Sequence, residues 1–112
     1  MSGFWFVSLS LAMPVIDVAP EQIKIISLIL SRFVPDMEVW AFGSRVVGNA
    51  GKNSDLDIAI ITQTPLDLAL LSDLKEAFRE SDIPFKVDIL DWSRTNPTFQ
   101  ALIKRQYAIL PR

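Results

Sequence analysis

Histidine and cysteine are both missing from this chain of 112 residues. Without histidine there is no Ser-His-Asp machinery, no imidazole general base and no imidazole metal ligand. Without cysteine there are no disulfides, no thiolate zinc sites and no thiol nucleophile. Any metal must therefore be held by oxygen ligands, which points to a hard cation such as magnesium. An excess of positive charge is also lacking: Lys and Arg number 11 against 13 Asp and Glu, for a net charge of -2. The basic footprint of a nucleic-acid binder is absent, so no direct nucleic-acid binding is expected. An anionic substrate would be held by local groups or a metal rather than by a global field.

Half of the residues are apolar, enough for one ordered domain with one core. The only long apolar run is Phe4 to Leu11 (FWFVSLSL), with no Lys or Arg before it. It lacks the basic start of a secretory signal and is too short to span a bilayer as a helix. Three readings of it stand open: an extra strand or partner-binding arm, a start upstream of a true initiator at Met13, or, least favoured, a membrane segment. No later stretch looks transmembrane, and the expected location is the cytoplasm.

Pro20 suits the first turn of a helix, and Glu21 favours its positive end. The stripe Ile23, Ile26, Ile29, Leu30, Phe33 continues that helix to Pro35, and Ile25 and Leu28 widen it, which predicts a well-buried element. Glu38 to Phe42 reads as a core strand ended by Gly43-Ser44. Arg45 to Val47 reads as a short helical turn and Gly48 to Ser54 as a loop. Asp57 to Thr62 is nearly continuous in apolar residues, as in a strand covered on both faces. Pro65 to Ser81 reads as a helix, with Thr64 as N-cap and Asp67 as its capping-box partner. Phe85 to Leu90 is a third strand. Asn96-Pro97 caps a last helix that runs to about Tyr107.

The chemistry gathers on three of these elements. Ten residues separate Gly43-Ser44 from Asp55-Leu56-Asp57. Strand alternation sends Asp55 and Asp57 to one side and Leu56 and Ile58 to the other. Two carboxylates one strand period apart repel unless a cation lies between them. On the third strand Asp88 shares a face with Lys86. If the second and third strands are neighbours, Asp88 completes a set of three. A carboxylate within Val87-Asp88-Ile89-Leu90 is costly to bury without a cation or donors. Asp91 competes for the third position, on the opposite strand face or in the turn; Asp88 is preferred. Gly43 permits a tight turn and close approach to a ligand, and the amides after it with the Ser44 hydroxyl favour a phosphate. Arg45 or Lys52 would add charge there, although Arg45 suits a surface or partner contact equally. Trp40, Phe42 and Trp92 read as packing residues rather than adenine stackers.

Together these parts resemble the nucleotidyltransferase superfamily that includes DNA polymerase β. They are most similar to its minimal members, the MNT-domain antitoxins that act beside HEPN-domain ribonuclease toxins. Gly43, Ser44, the ten-residue gap, Asp55, Asp57 and Asp88 in KVDILDW carry the resemblance, which covers roughly Pro20 to Tyr107. It implies an α+β nucleotidyltransferase fold, a small mixed sheet flanked by helices, over residues 20–112, with residues 1–19 as an N-terminal extension. It implies ATP as donor and two magnesium ions on Asp55, Asp57 and Asp88. Gly43 and Ser44 would hold the nucleotide's β- and γ-phosphates, with Arg45 beside them. It further implies transfer of AMP to a tyrosine of a HEPN-type toxin, and thus a hetero-oligomeric antitoxin of a type VII-like pair, with no membrane partner.

Two alternatives accompany this reading. One is a transferase for a small molecule, of the antibiotic-modifying type. Such members bring an extra C-terminal acceptor domain, whereas this chain ends soon after its last helix, so the acceptor is expected on another protein. The other is a non-catalytic antitoxin that occludes its toxin, against which the retention of all three acidic positions speaks. A template-directed polymerase is not expected from a short acidic chain.

Overall fold

The structure, a computed structural model, describes residues 15–112. The apolar run at Phe4 to Leu11 and Met13 lie outside the described residues. Helix α1 (Pro20–Phe33) starts on Pro20, with the Ala19 amide donating to Gln22 Oε1 at 3.2 Å. It is followed by β1 (Val39–Phe42), a single helical turn α2 (Ser44–Val47), and β2 (Leu56–Ile60). Helix α3 (Leu68–Arg79), β3 (Val87–Asp91), a 3-10 turn at Trp92–Arg94, α4 (Pro97–Arg105) and β4 (Ala108–Ile109) complete the order.

The four strands form one mixed sheet in the order β3-β2-β1-β4. β1 runs antiparallel to β2 and β4, while β2 and β3 are parallel neighbours. The parallel pair is joined through α3, the crossover that parallel strands require.

Strand parity divides the sheet into two faces. Val39 and Ala41, Leu56, Ile58 and Ile60, and Ala108 all point to one face and are buried. Helices α1 and α3 cover that face, inserting Ile26 and Leu30 from one and Leu74 and Phe78 from the other. Burying such side chains stabilises the fold by about 1.5–3 kcal/mol each. Ile16 and Val18, ahead of α1, also pack on this core. The other face carries Trp40, Phe42, Asp57 and Asp88, and among the described residues no long helix packs on it: the short α4 brings Phe99 against Phe42, and Trp92 and Tyr107 pack on Trp40. Among the described residues no helix is long and apolar enough to cross a membrane.

Several expectations are corrected. α1 is buried along one stripe only, and Leu28 stays 72% exposed. α3 begins at Leu68 rather than Pro65, and its N-cap is Asp67, which accepts from the Ala69 amide at 3.0 Å, rather than Thr64. The reason is long-range: Asp91 Oδ2 accepts the Leu66 amide at 2.7 Å and Asp91 Oδ1 the Thr62 hydroxyl at 2.5 Å. Those bonds hold residues 62–66 in a non-helical path. β2 starts one residue earlier than expected and stops at Ile60, and β3 extends to Asp91. The last helix stops at Arg105, and the fourth strand after it was not foreseen.

Candidate active site on the open face of the sheet

The register places the site residues in a row across three strands. Phe42 on β1 pairs with Asp57 on β2, and Asp57 pairs with Asp88 on β3. Because paired residues share a face, the Asp57 and Asp88 side chains stand beside one another. Above them is a cavity of about 350 Å³ lined by Phe42, Asp57, Asp88, Ile89, Leu90 and Phe99. Phe99, from α4, meets Phe42 edge to face with ring centroids 6.0 Å apart. At the far end of the same face Trp40 stacks on Tyr107 at 3.9 Å and meets Trp92 at 5.1 Å, so Trp40 and Trp92 serve packing.

Gly43 follows Phe42 directly and has φ +81°, a conformation that L side chains rarely adopt. A Cβ on Gly43 would collide with Asp57 Oδ2. The turn therefore needs glycine twice over: for its backbone angle and for close approach to the central carboxylate. Ser44 opens α2 immediately beyond, partly exposed, and Gly48, at φ +93°, closes it.

Asp57 is half-buried, and its pKa is pushed above the ordinary carboxylate value. Burial is the largest cause, followed by the negative charges of Asp88 and Asp55, with Lys86 working the other way. Asp88 is exposed, with Lys86 Nζ 3.9 Å from its Oδ1, a solvent-screened pair. Asp55 sits one residue ahead of β2, exposed. Among the described residues no three acidic side chains stand as a closed metal-ligand cluster. The donor set nevertheless suits a hard cation: three carboxylates, mutual repulsion felt at Asp57, and no softer ligand nearby.

Arg45 is placed differently from the nucleotide-contacting role expected of it. It is 6% exposed, and its guanidinium donates to Ser54 O (3.0 Å), Asp17 O (2.7 Å) and Lys52 O (3.2 Å). Its charge thus braces the loop instead of facing the cavity. Lys52 lies exposed in that loop. Asp91, the competitor for the third acidic position, is 5% exposed on the core face. It is occupied by Thr62, the amides of Leu66 and Ser93, and Arg94 at 3.3 Å. Asp88 is the carboxylate beside Asp57. The Asp91 latch escaped sequence reasoning because Thr62 and Asp91 are 29 residues apart with no local pattern linking them.

Residues 24–110 match the family described as polymerase beta, nucleotidyltransferase. The chain belongs to that nucleotidyltransferase family. It is 50% identical over 95 residues to the Probable protein adenylyltransferase MntA of Haemophilus influenzae, covering 85% of this chain and 83% of that protein. A solved toxin-antitoxin structure with AMP-PNP is similar over 80% of this chain and 72% of its own, with a TM-score of 0.68 at 24% identity. Another, a tri-AMPylated Shewanella oneidensis HEPN toxin in complex with MNT antitoxin, is similar over 80% and 68% respectively, with a TM-score of 0.52 at 21% identity. The likeness to these structures is one of fold, which in this chain is four mixed strands with flanking helices.

Proposed function

We propose that this nucleotidyltransferase is a protein adenylyltransferase and the antitoxin of a toxin-antitoxin pair. It transfers AMP from ATP to a tyrosine hydroxyl of a HEPN-type ribonuclease toxin, with which it assembles in the cytoplasm. The row Phe42-Asp57-Asp88, with the Gly43 turn pressed against Asp57, is the observation that carries this reading. Two carboxylates line one open cavity, and the turn that we read as a phosphate grip lies against one of them. The half-identical adenylyltransferase MntA and the AMPylated HEPN toxin seen with its MNT antitoxin support protein as the acceptor class.

Each residue has a separate task. Gly43 and the Ser44 hydroxyl hold the β- and γ-phosphates where the backbone can approach closely. Asp57, between the turn and Asp88, and Asp55, at the mouth of β2, are the carboxylates that would hold magnesium on the triphosphate side. Asp88, the more exposed, faces the incoming acceptor and takes the proton of its hydroxyl on a carboxylate oxygen. Magnesium, when bound, supplies neutralisation of the triphosphate charge and a lowered pKa for the attacking hydroxyl. The acceptor oxygen forms a bond to the α-phosphorus, the bond from that phosphorus to the bridging oxygen breaks, and pyrophosphate leaves. Phe42, Phe99 and Leu90 wall the cavity with apolar surface and limit water there, which favours transfer over hydrolysis.

The test incubates this protein, ATP labelled at the α-phosphate and magnesium with the HEPN-type product of the neighbouring reading frame. Label should appear on a toxin tyrosine, and the toxin's ribonuclease activity should fall. Asp57→Asn should slow transfer by roughly a thousandfold, about 4 kcal/mol of lost transition-state stabilisation. Absence of label with the wild-type protein, or equal labelling by the variant, would overturn the reading.

A further inference from the structure

Arg45 is a buried cation, and among the described residues no carboxylate pairs with it. Its guanidinium meets three backbone carbonyls, those of Asp17, Lys52 and Ser54, and lies 4.0 Å from the centroid of the Phe85 ring. Its own carbonyl accepts the Asp17 amide at 2.7 Å. A charge this sheltered is tolerated only because dipoles and an aromatic face stand in for water.

The places it touches are informative. Arg45 follows Ser44 of the phosphate turn. Ser54 precedes Asp55. Phe85 lies three residues before Asp88, and the intervening Lys86 carbonyl accepts the Leu56 amide at 2.9 Å, at the point where β2 and β3 first meet. One planar group therefore ties together the three segments that deliver the site. These are the turn, the loop ending at Asp55, and the lead into the strand of Asp88. Among the described residues the other bonds of the loop, residues 48–54, are few: the Gly48 amide to Ser44 O at its start, and the Ser54 amide to Gly51 O and the Gly51 amide to Ser54 Oγ within it.

We infer that Arg45 is a positioning residue, which sets the Asp55-Asp57 pair at its working distance from Asp88 and from the Gly43-Ser44 turn without touching the nucleotide. The inference rests on the reading of that site as an AMP-transfer centre. Lysine cannot replace the arginine, because a point ammonium has neither the forked donors nor the flat face that stacks on Phe85.

The experiment compares wild type, Arg45→Lys and Phe85→Leu in the labelling assay, with magnesium and ATP varied separately, and follows amide hydrogen exchange of the metal-free proteins. Arg45→Lys is expected to lower kcat about 10–100-fold and to raise the half-saturating magnesium concentration severalfold, while the KM for ATP stays within about threefold. Exchange should quicken at residues 48–55 and stay slow in β1 and β2. Phe85→Leu keeps the apolar bulk and removes only the ring, so it should shift kcat and exchange the same way by about threefold, and it carries the test should Arg45→Lys not fold. A raised KM for ATP with unchanged exchange would make Arg45 a phosphate ligand and overturn the inference. So would a lowered Tm with kcat and magnesium requirement unchanged, the mark of a merely structural role. Failure of the wild-type protein to label anything would instead overturn the adenylyltransferase reading, and the exchange arm would still read the brace.

Discussion

The two faces of one strand, β2, have opposite characters. Leu56, Ile58 and Ile60 are fully shielded from solvent beneath α1 and α3. One residue out of phase, Asp57 is half-buried on the opposite face beside an exposed Asp88. Strand alternation has divided the labour. One parity supplies stability, and the other supplies a row of carboxylates held rigidly enough to matter. The site face is itself graded: Trp40, Trp92 and Tyr107 close its far end, while the end at Phe42, Asp57 and Asp88 stays open. Substitutions on the two faces should therefore damage different properties.

The largest expected effect belongs to the sealed face. Ile58→Ala removes a fully buried side chain from the centre of the core and should cost about 2–5 kcal/mol of stability in urea unfolding. Well below its melting temperature the variant should label the toxin at close to the wild-type rate. A collapse of activity in the folded variant would break the separation of the two faces.

Gly43→Ala tests the seam between the faces. The methyl group would meet Asp57 Oδ2 at a residue whose φ is +81°, so either the turn or the carboxylate must move. Backbone strain should cost about 1–3 kcal/mol of stability. Displacing Asp57 by even about an ångström should lower the rate of transfer by around a hundredfold. Rate and stability fall together only if the turn and the carboxylate are one unit, so a stability loss with a normal rate would separate them.

Asp88 and Asp91 offer a crossed pair on one strand, three residues apart and on opposite faces. Asp91→Asn disturbs the buried latch to Thr62, Leu66 and Arg94 and should cost about 1–3 kcal/mol of stability with the rate within a few-fold of wild type. Asp88→Asn should do the reverse, abolishing most transfer at nearly unchanged Tm. Chemical denaturation and the labelling assay on both variants check it. Should Asp91→Asn silence the folded enzyme while Asp88→Asn leaves it active, the third carboxylate has been misassigned.

Much of this was legible from periodicity alone, because α1, α3 and the apolar β2 declare themselves within one window of sequence. That Asp57 and Asp88 share a side follows from parity once β2 and β3 are neighbours, and the register pairs them. What escaped depends on contacts far apart in sequence. Thr64 and Asp67 are both acceptable N-caps, and the choice between them is made by Asp91 from the end of β3. Arg45, expected beside the phosphates or at a surface or partner contact, turns inward because Asp17, Ser54 and Phe85 give it partners there. The two-residue β4, with Ala108 buried and Ile109 exposed, is too short to show any period.

The smallest expected effect is also the one that most directly joins the two faces. Burial and the charges of Asp88 and Asp55 raise the Asp57 pKa above its unfolded value, so in the window between those two values the folded chain binds more protons than the unfolded one. Stability contributed by this group therefore falls as pH rises through the raised pKa, the opposite of the usual paired carboxylate. Asp57→Asn, which should transfer AMP far more slowly, should also melt slightly higher than wild type at about pH 7 in the presence of a chelator. That advantage should shrink as pH falls through the raised pKa and vanish below the unfolded value, where the wild-type carboxyl is protonated in both states. Added magnesium should raise the wild-type Tm and leave the variant's nearly unchanged, since the cation relieves a repulsion that asparagine has already removed. Thermal melts of the two proteins across that pH range, with chelator and with magnesium, decide the matter. A variant less stable than wild type at neutral pH without metal would mean that Asp57 is held by the fold for structural reasons, and the open face would then contribute stability as well as chemistry.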